Sequence, residues 1–460
     1  MAARTLFSKS KDGHGGGKPL PPELRHTPWR DVAASYAWPL LATMLGAGCA
    51  TPSLMPTPNL YGHTSDNPFA NVPPAFRTNT ADVIYLTDRA PDGDRAKDPK
   101  YGFKRSLSLA FGMTTVGIGN TMSWDDLVTV SRSAERQRQA PMRIIETREM
   151  GLFPPVPTRE VEHDGQWVES PESVIARRAA EAQFKALVAE RLALTPKKEV
   201  YVFIHGTGSD FASPMYVMAG LWHFMGRCGV PVVYTWPSSG SGESLGGYDY
   251  DRESSEFTVY HLKQFLRLLA TCPGLEKVHI IAHSRGTDTA LAAIRELNIE
   301  ISAAGGNTRK ALKLGCFVLA AADMDLEVSM QRVSAERLMQ VPEQMVLYVS
   351  PTDMRLRLAS FFFGSKDRLG QSHVGDRTPR RAELLSHLPG IQFIDARVAG
   401  SGRGSHFYFY GHPAVSSDLI LLMRDNRGPG AANGRPLFRE ADGLWRIDED
   451  YPAPEQGAHR

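Results

Sequence analysis

The chain has 460 residues, 42% of them hydrophobic and 22% charged, with a formal net charge of +2. That balance belongs to a globular protein with a sizeable core, and disorder of the whole is excluded. The first 31 residues carry six Lys/Arg against three acids, leaving 46 basic and 47 acidic residues behind them. Such a remainder has no field suited to gripping phosphates, so no nucleic-acid partner is expected.

Residues 1–49 read as a disordered leader followed by a lipoprotein-like signal. A Gly/Pro/Lys-rich stretch ends at Arg30, and an apolar run from Val32 closes in small residues before Cys49. The run falls short of the about 20 apolar residues that a membrane span takes. It resembles a bacterial lipoprotein signal, in which the cysteine carries the lipid, with Gly46 standing where that pattern prefers leucine. A cleaved signal peptide or a short buried helix is the other reading. The expected location is the bacterial cell envelope, on the periplasmic or outer-membrane face, through a lipid on Cys49. Cys228, Cys272 and Cys316 are scattered and odd in number, and no zinc-ligand spacing occurs. No metal and no organic cofactor is expected.

Prolines over residues 50–80 predict an extended tether. The folded body is expected over 81–425, and the Pro/Gly/Asp-rich residues 426–460 as a peripheral tail. "DVIYLTDR" and "SLSLAFGMTTVGIG" read as strands, and residues 171–194 as a long helix. Beyond Lys197, strand and helix alternate: "EVYVFIHG", "VPVVYTW", "KVHIIAHS", "LKLGCFVLAAAD", "QMVLYVSPTD" and "IQFIDARV" each precede a helical pattern. The helices are expected near 214–227, 254–269, 326–339, 355–363 and 413–423, with one more directly after "KVHIIAHS". This alternation implies crossover units and a mainly parallel sheet with helices on both faces.

Ser284 sits where "VHIIAHSRG" passes from strand to helix, beyond the carboxyl end of its strand, where open sheets collect functional groups. The small residues Ala282 and Gly286 flank it, as a tight strand-to-helix elbow requires. This A-H-S-R-G elbow and the strand order resemble the α/β-hydrolase superfamily, over roughly residues 81–423. Within it the chain is most similar to a bacterial group with lipoprotein-type leaders, the "TDRA" strand at residues 87–90 and a His-Gly loop before the elbow. The fold class implied is α/β, of α/β-hydrolase type.

The resemblance implies a nucleophile, acid and histidine in that chain order. Ser284 is then the nucleophile. Asp353, at the end of the second strand after the elbow, is the acid, with Asp323 one strand earlier as the alternative. His406 is the base, and its rival His412 better suits a helix start. His283 reads as packing and His279 as a core histidine. The implied oxyanion donors are the backbone N–H groups of Arg285 and Thr207.

Trp236, Phe361, Phe362 and Tyr408 are candidates for an apolar acyl pocket, the glycine-rich loop 238–250 for a segment moving over the site, and residues 364–388 for a small lid. The function implied is hydrolysis of a small-molecule carboxylic ester through an acyl-enzyme. Amide hydrolysis or acyl transfer would use the same groups, and a non-catalytic envelope binding protein is the reading from another class.

Overall fold

The computed structural model describes residues 51–62, 66–93, 100–240, 245–350, 352–353, 356, 369, 390–398, 406–441 and 443–452. The leader with Cys49, the candidates Phe361 and Phe362, and all but single residues of the expected helix at 355–363 and lid at 364–388 lie outside them. By its contacts the chain divides at residue 52, and the body treated below begins there.

The strands are β1 (Thr80–Pro91), β2 (Tyr101–Ile118), β3 (Met142–Leu152), β4 (Glu160–His163), β5 (Gln166–Glu169), β6 (Glu199–Ile204) and β7 (Val230–Thr235). They continue with β8 (Lys277–His283), β9 (Leu314–Ala320), β10 (Gln344–Val349), β11 (Ile391–Ala396), β12 (Phe438–Arg439) and β13 (Trp445–Ile447). Among the described residues, eleven of them form one sheet in the order β12-β13-β11-β10-β9-β8-β6-β7-β1-β2-β3, and β4 with β5 makes a separate hairpin. From β13 to β1 every neighbouring pair is parallel. β2, β3 and β12 add antiparallel edges.

Sequence pattern explains the layering. The central strands β7 and β9 are buried along their whole length, as strands covered on both faces must be. The edge strand β3 alternates exposed and covered positions and escaped sequence reading for that reason. Side chains of β6 alternate between two cores. Tyr201 and Phe203 face the helices Ser213–Phe224 and Pro413–Asp425. Val200, Val202 and Ile204 face Pro171–Ala193, Leu245–Ala270 and Arg285–Ala303. The chain runs from β6 to β7 on one side and then returns across β6 to β8 on the other. This makes the β6/β8 crevice a topological switch point, the place where such sheets bind ligands.

Several expectations are corrected. Residues 52–76 are no tether: Leu54, Met55, Tyr61, Phe69 and Phe76 are buried in the core, and apolar surface of that kind leaves water at a gain of about 25 cal/mol per Å². The Leu54 N–H bonds to the Ala140 carbonyl at 2.8 Å and the Met142 N–H to that of Pro52 at 2.6 Å, pinning the segment beside β3. Nor is the tail peripheral, because β13 extends the parallel sheet. Arg435 forks onto Asp418 at 2.9 and 2.8 Å, both fully buried. The helix expected from residue 254 starts at Leu245, so only part of the 238–250 stretch is loop. The one expected at 326–339 breaks after Met330 into short irregular turns. Among the described residues no helix is long and apolar enough to cross a membrane.

Candidate active site

Ser284 follows the last residue of β8 and caps the helix Arg285–Ala303, with φ 52° and ψ −126°. A non-glycine residue holds such a backbone only when its surroundings over-determine it, at a cost on the order of 1–3 kcal/mol. The restraints are local: the Ser284 N–H donates to the Ala320 carbonyl at 2.9 Å, and its own carbonyl accepts from the Thr287 N–H at 3.0 Å and hydroxyl at 2.7 Å.

Two glycines make the close approach possible. A Cβ on Gly286 would stand 2.3 Å from the His205 carbonyl oxygen, and one on Gly206 would stand 2.6 Å from the Ser284 Cβ. The N–H groups of Arg285 and Gly286 open the helix, ahead of any intrahelical acceptor, and point toward whatever occupies the crevice.

The structure brings two of the predicted residues together far from one another in sequence. Asp353 lies just past β10 and is fully buried, and its Oδ2 stands 2.8 Å from Nδ1 of His406. A carboxylate there fixes the ring proton on Nδ1 and leaves Nε2 as the basic nitrogen. The His406 ring packs 4.7 Å from that of His283, the neighbour of Ser284, and the His283 Nε2 lies 3.1 Å from the His406 carbonyl oxygen. His283, expected as packing, therefore also holds the backbone of the histidine loop. Asp323, the alternative acid, is engaged elsewhere: it pairs with Arg285 at 2.9 Å and accepts from Tyr248 at 3.1 Å. His412 caps the helix Pro413–Asp425 by accepting from the Ala414 N–H at 3.3 Å.

The loop after β6 is built on a buried polar network. Trp236 donates its backbone N–H to Nε2 of His205 at 3.1 Å, so Nε2 is an acceptor and the ring proton sits on Nδ1, 2.8 Å from the Gly206 carbonyl oxygen. Burial and the adjacent Arg89 push His205 down to about 3, keeping the ring neutral. Its grip on the Gly206 carbonyl sets the 206–207 peptide, and the Thr207 N–H points the opposite way because the peptide is planar and trans.

Arg89, wholly buried, donates to the carbonyls of Ser209 at 2.7 Å, Gly102 at 3.1 Å and Ser238 at 3.3 Å, and to the Thr235 hydroxyl at 3.0 Å. Burial lowers its pKa to about 10 against the pull of Asp210, Asp88 and Asp251. Asp251 accepts from the Gly208 N–H at 2.9 Å and that of Ser239 at 2.5 Å. Sequence reading assigned no role to Arg89. The signal was there, because an arginine inside "VIYLTDRA" is a cation in a buried strand, which is costly unless richly hydrogen-bonded.

Two pocket candidates are corrected. Trp236 is fully buried, stacks 5.1 Å from His205 and donates its indole N–H to the His205 carbonyl at 2.8 Å. Tyr408 donates to the Tyr348 carbonyl at 2.8 Å and accepts from the Ala321 N–H at 3.2 Å, tying the ends of β9 and β10. Both polar tips are consumed by the scaffold, as buried indoles and phenols require. Among the described residues no group of three His, Cys, Asp or Glu side chains is placed to hold a metal ion.

An eight-membered parallel run, a strained serine elbow at its switch point and an Asp–His pair on the later strands define an α/β hydrolase. Residues 180–424 match the family model described as an alpha/beta hydrolase of unknown function (DUF900), and the chain belongs to that family. No curated protein and no solved structure matches the chain.

Proposed function

We propose that the protein is a serine hydrolase of carboxylic esters, with Ser284, His406 and Asp353 as its triad. Ser284 Oγ attacks the acyl carbon and its proton passes to His406 Nε2, while Asp353 remains a carboxylate and stabilises the imidazolium. The carbonyl electron pair moves to oxygen, where the N–H groups of Thr207 and Arg285 receive it. Collapse breaks the bond to the alcohol, which leaves with the proton from Nε2. Water then attacks the acyl-enzyme, giving one proton to Nε2. Cleavage of the acyl–Oγ bond returns that proton to Ser284 and releases the acid.

The observation that supports this most is the 2.8 Å contact of His406 Nδ1 with Asp353 Oδ2, against the histidine that adjoins the strained Ser284. We also propose that Cys49 carries a lipid that would hold the enzyme at the cell envelope. A fluorophosphonate probe tests the nucleophile: labelling of the wild type and none of Ser284→Ala is expected, with hydrolysis of p-nitrophenyl acetate lost in the same variant. Equal labelling of both proteins, or ester turnover surviving in Ser284→Ala, overturns the reading.

A further inference from the structure

A cavity of about 390 Å³ opens between the loop after β6, the helix Ser213–Phe224, the segment at residues 52–55 and the chain that follows His406. Its size lies within the roughly 300–1,000 Å³ of small-molecule sites. Thr207 and His283 line one end. These adjoin, respectively, Gly206, whose missing Cβ would stand 3.2 Å from Ser284 Oγ, and Ser284 itself. Phe407, the residue after His406, lines it too. The chain neighbours of Ser284 and His406 thus form one end of the cavity.

Met55, Phe203, Val217 and Phe409 supply its apolar wall, with Ser53, Ser213 and Tyr216 as polar groups among them. Met55 forms a stop. It is buried and rests on Gly220 of the helix, where a Cβ would come 3.3 Å from its Cγ. Its backbone is held because residues 52 and 54 bond to residues 140–142, and Arg136 donates to the Leu54 carbonyl at 2.9 Å.

From this geometry we propose that the cavity is the acyl-binding site, that it takes an unbranched apolar acyl chain of medium length, and that Met55 and Val217 set the limit. The proposal rests on the ester-hydrolase reading and names its substrate class. At about 30 Å³ for each methylene-sized group, the cavity has room for on the order of ten such groups. Specificity constants should climb by up to about fourfold with each added methylene, then fall once the space is full.

The test is a p-nitrophenyl ester series from acetate to dodecanoate, run on the wild type, Met55→Ala and Val217→Trp. The wild type should peak near the octanoate or decanoate. Val217→Trp should lower the octanoate-to-acetate ratio of kcat/KM at least tenfold, and Met55→Ala should move the peak to longer chains. Ratios and peaks within twofold of wild type in both variants would overturn the acyl-site assignment while leaving the esterase reading intact. If no ester in the series is turned over above the Ser284→Ala background, the esterase reading itself fails. A variant that misfolds is recognised by loss of fluorophosphonate labelling, and the other variant then decides.

Discussion

Nδ1 of His406 and Oδ2 of Asp353 stand 2.8 Å apart, while Asp323, one strand closer to the elbow, spends its carboxylate on Arg285 at 2.9 Å. The two acids therefore separate by variant. Asp353→Asn should lower kcat by about 10⁴-fold with little change in KM, because the imidazole loses both its orientation and its counter-charge. Asp323→Asn removes one of the two carboxylates on buried Arg285, Asp288 at 3.2 Å being the other, and should act on stability, by roughly 1.5–3 kcal/mol in urea unfolding. Equal losses of kcat in both variants would contradict the assignment.

Arg89 holds the loop after β6 and should bear on turnover without meeting substrate. Its planar fork reaches the Ser209, Gly102 and Ser238 carbonyls together, and an ammonium cannot reproduce that geometry. Arg89→Lys should therefore cost kcat about 10²-fold with KM nearly unchanged, as the Thr207 donor drifts. Steady-state kinetics on the acetate ester checks this, and full turnover with an unchanged melting temperature would rule it out.

Acid should unfold the protein through its neutral histidines. Burial pushes His205 down to about 3 and His279 to about 4, whereas both titrate near 6.5 when unfolded. Between those values the unfolded chain binds more protons. Their stabilisation is therefore complete above pH about 6.5 and is lost as pH falls toward 4, at up to about 1.4 kcal/mol per unit for each ring. Urea unfolding at pH 7 and pH 5 should differ by roughly 2 kcal/mol less in His279→Gln than in wild type. The same pH dependence in both proteins would count against it.

The C-terminal strands should prove structural. Asp418 receives Arg435 at 2.9 and 2.8 Å, Tyr451 at 2.6 Å and Tyr348 at 2.7 Å, all buried. Arg435→Met, which leaves that carboxylate without its cation, should cost about 3–5 kcal/mol. Thermal denaturation is the measurement, and a melting temperature within a degree of wild type would refute the claim.

Much of the fold was legible along the chain. Buried parallel strands such as "VHIIA" are continuous apolar runs, their helices carry period-3.6 patterns, and the flanking small residues of the elbow mark Ser284. Chain order pointed to His406 and to Asp353, with Asp323 left as the alternative acid. Three things were illegible. The edge strand β3 and the short strands β12 and β13 have weak, half-exposed patterns. The proline-rich segment at 52–76 reads as linker until a surface exists for Leu54, Met55 and Phe69 to cover. The pocket candidates failed because an aromatic side chain has the same hydrophobicity whether it lines a cavity or braces a strand, as Trp236 and Tyr408 do.

By itself, then, the sequence determined the layered architecture and the place of Ser284 on its elbow, since both follow from local periodicity and from the steric needs of one tight turn. Only the tertiary structure decided which acid meets the histidine, what Arg89 holds, and which residues wall the cavity. Those are distances between segments up to hundreds of residues apart, and nothing in a local pattern encodes them until the sheet has brought the segments together.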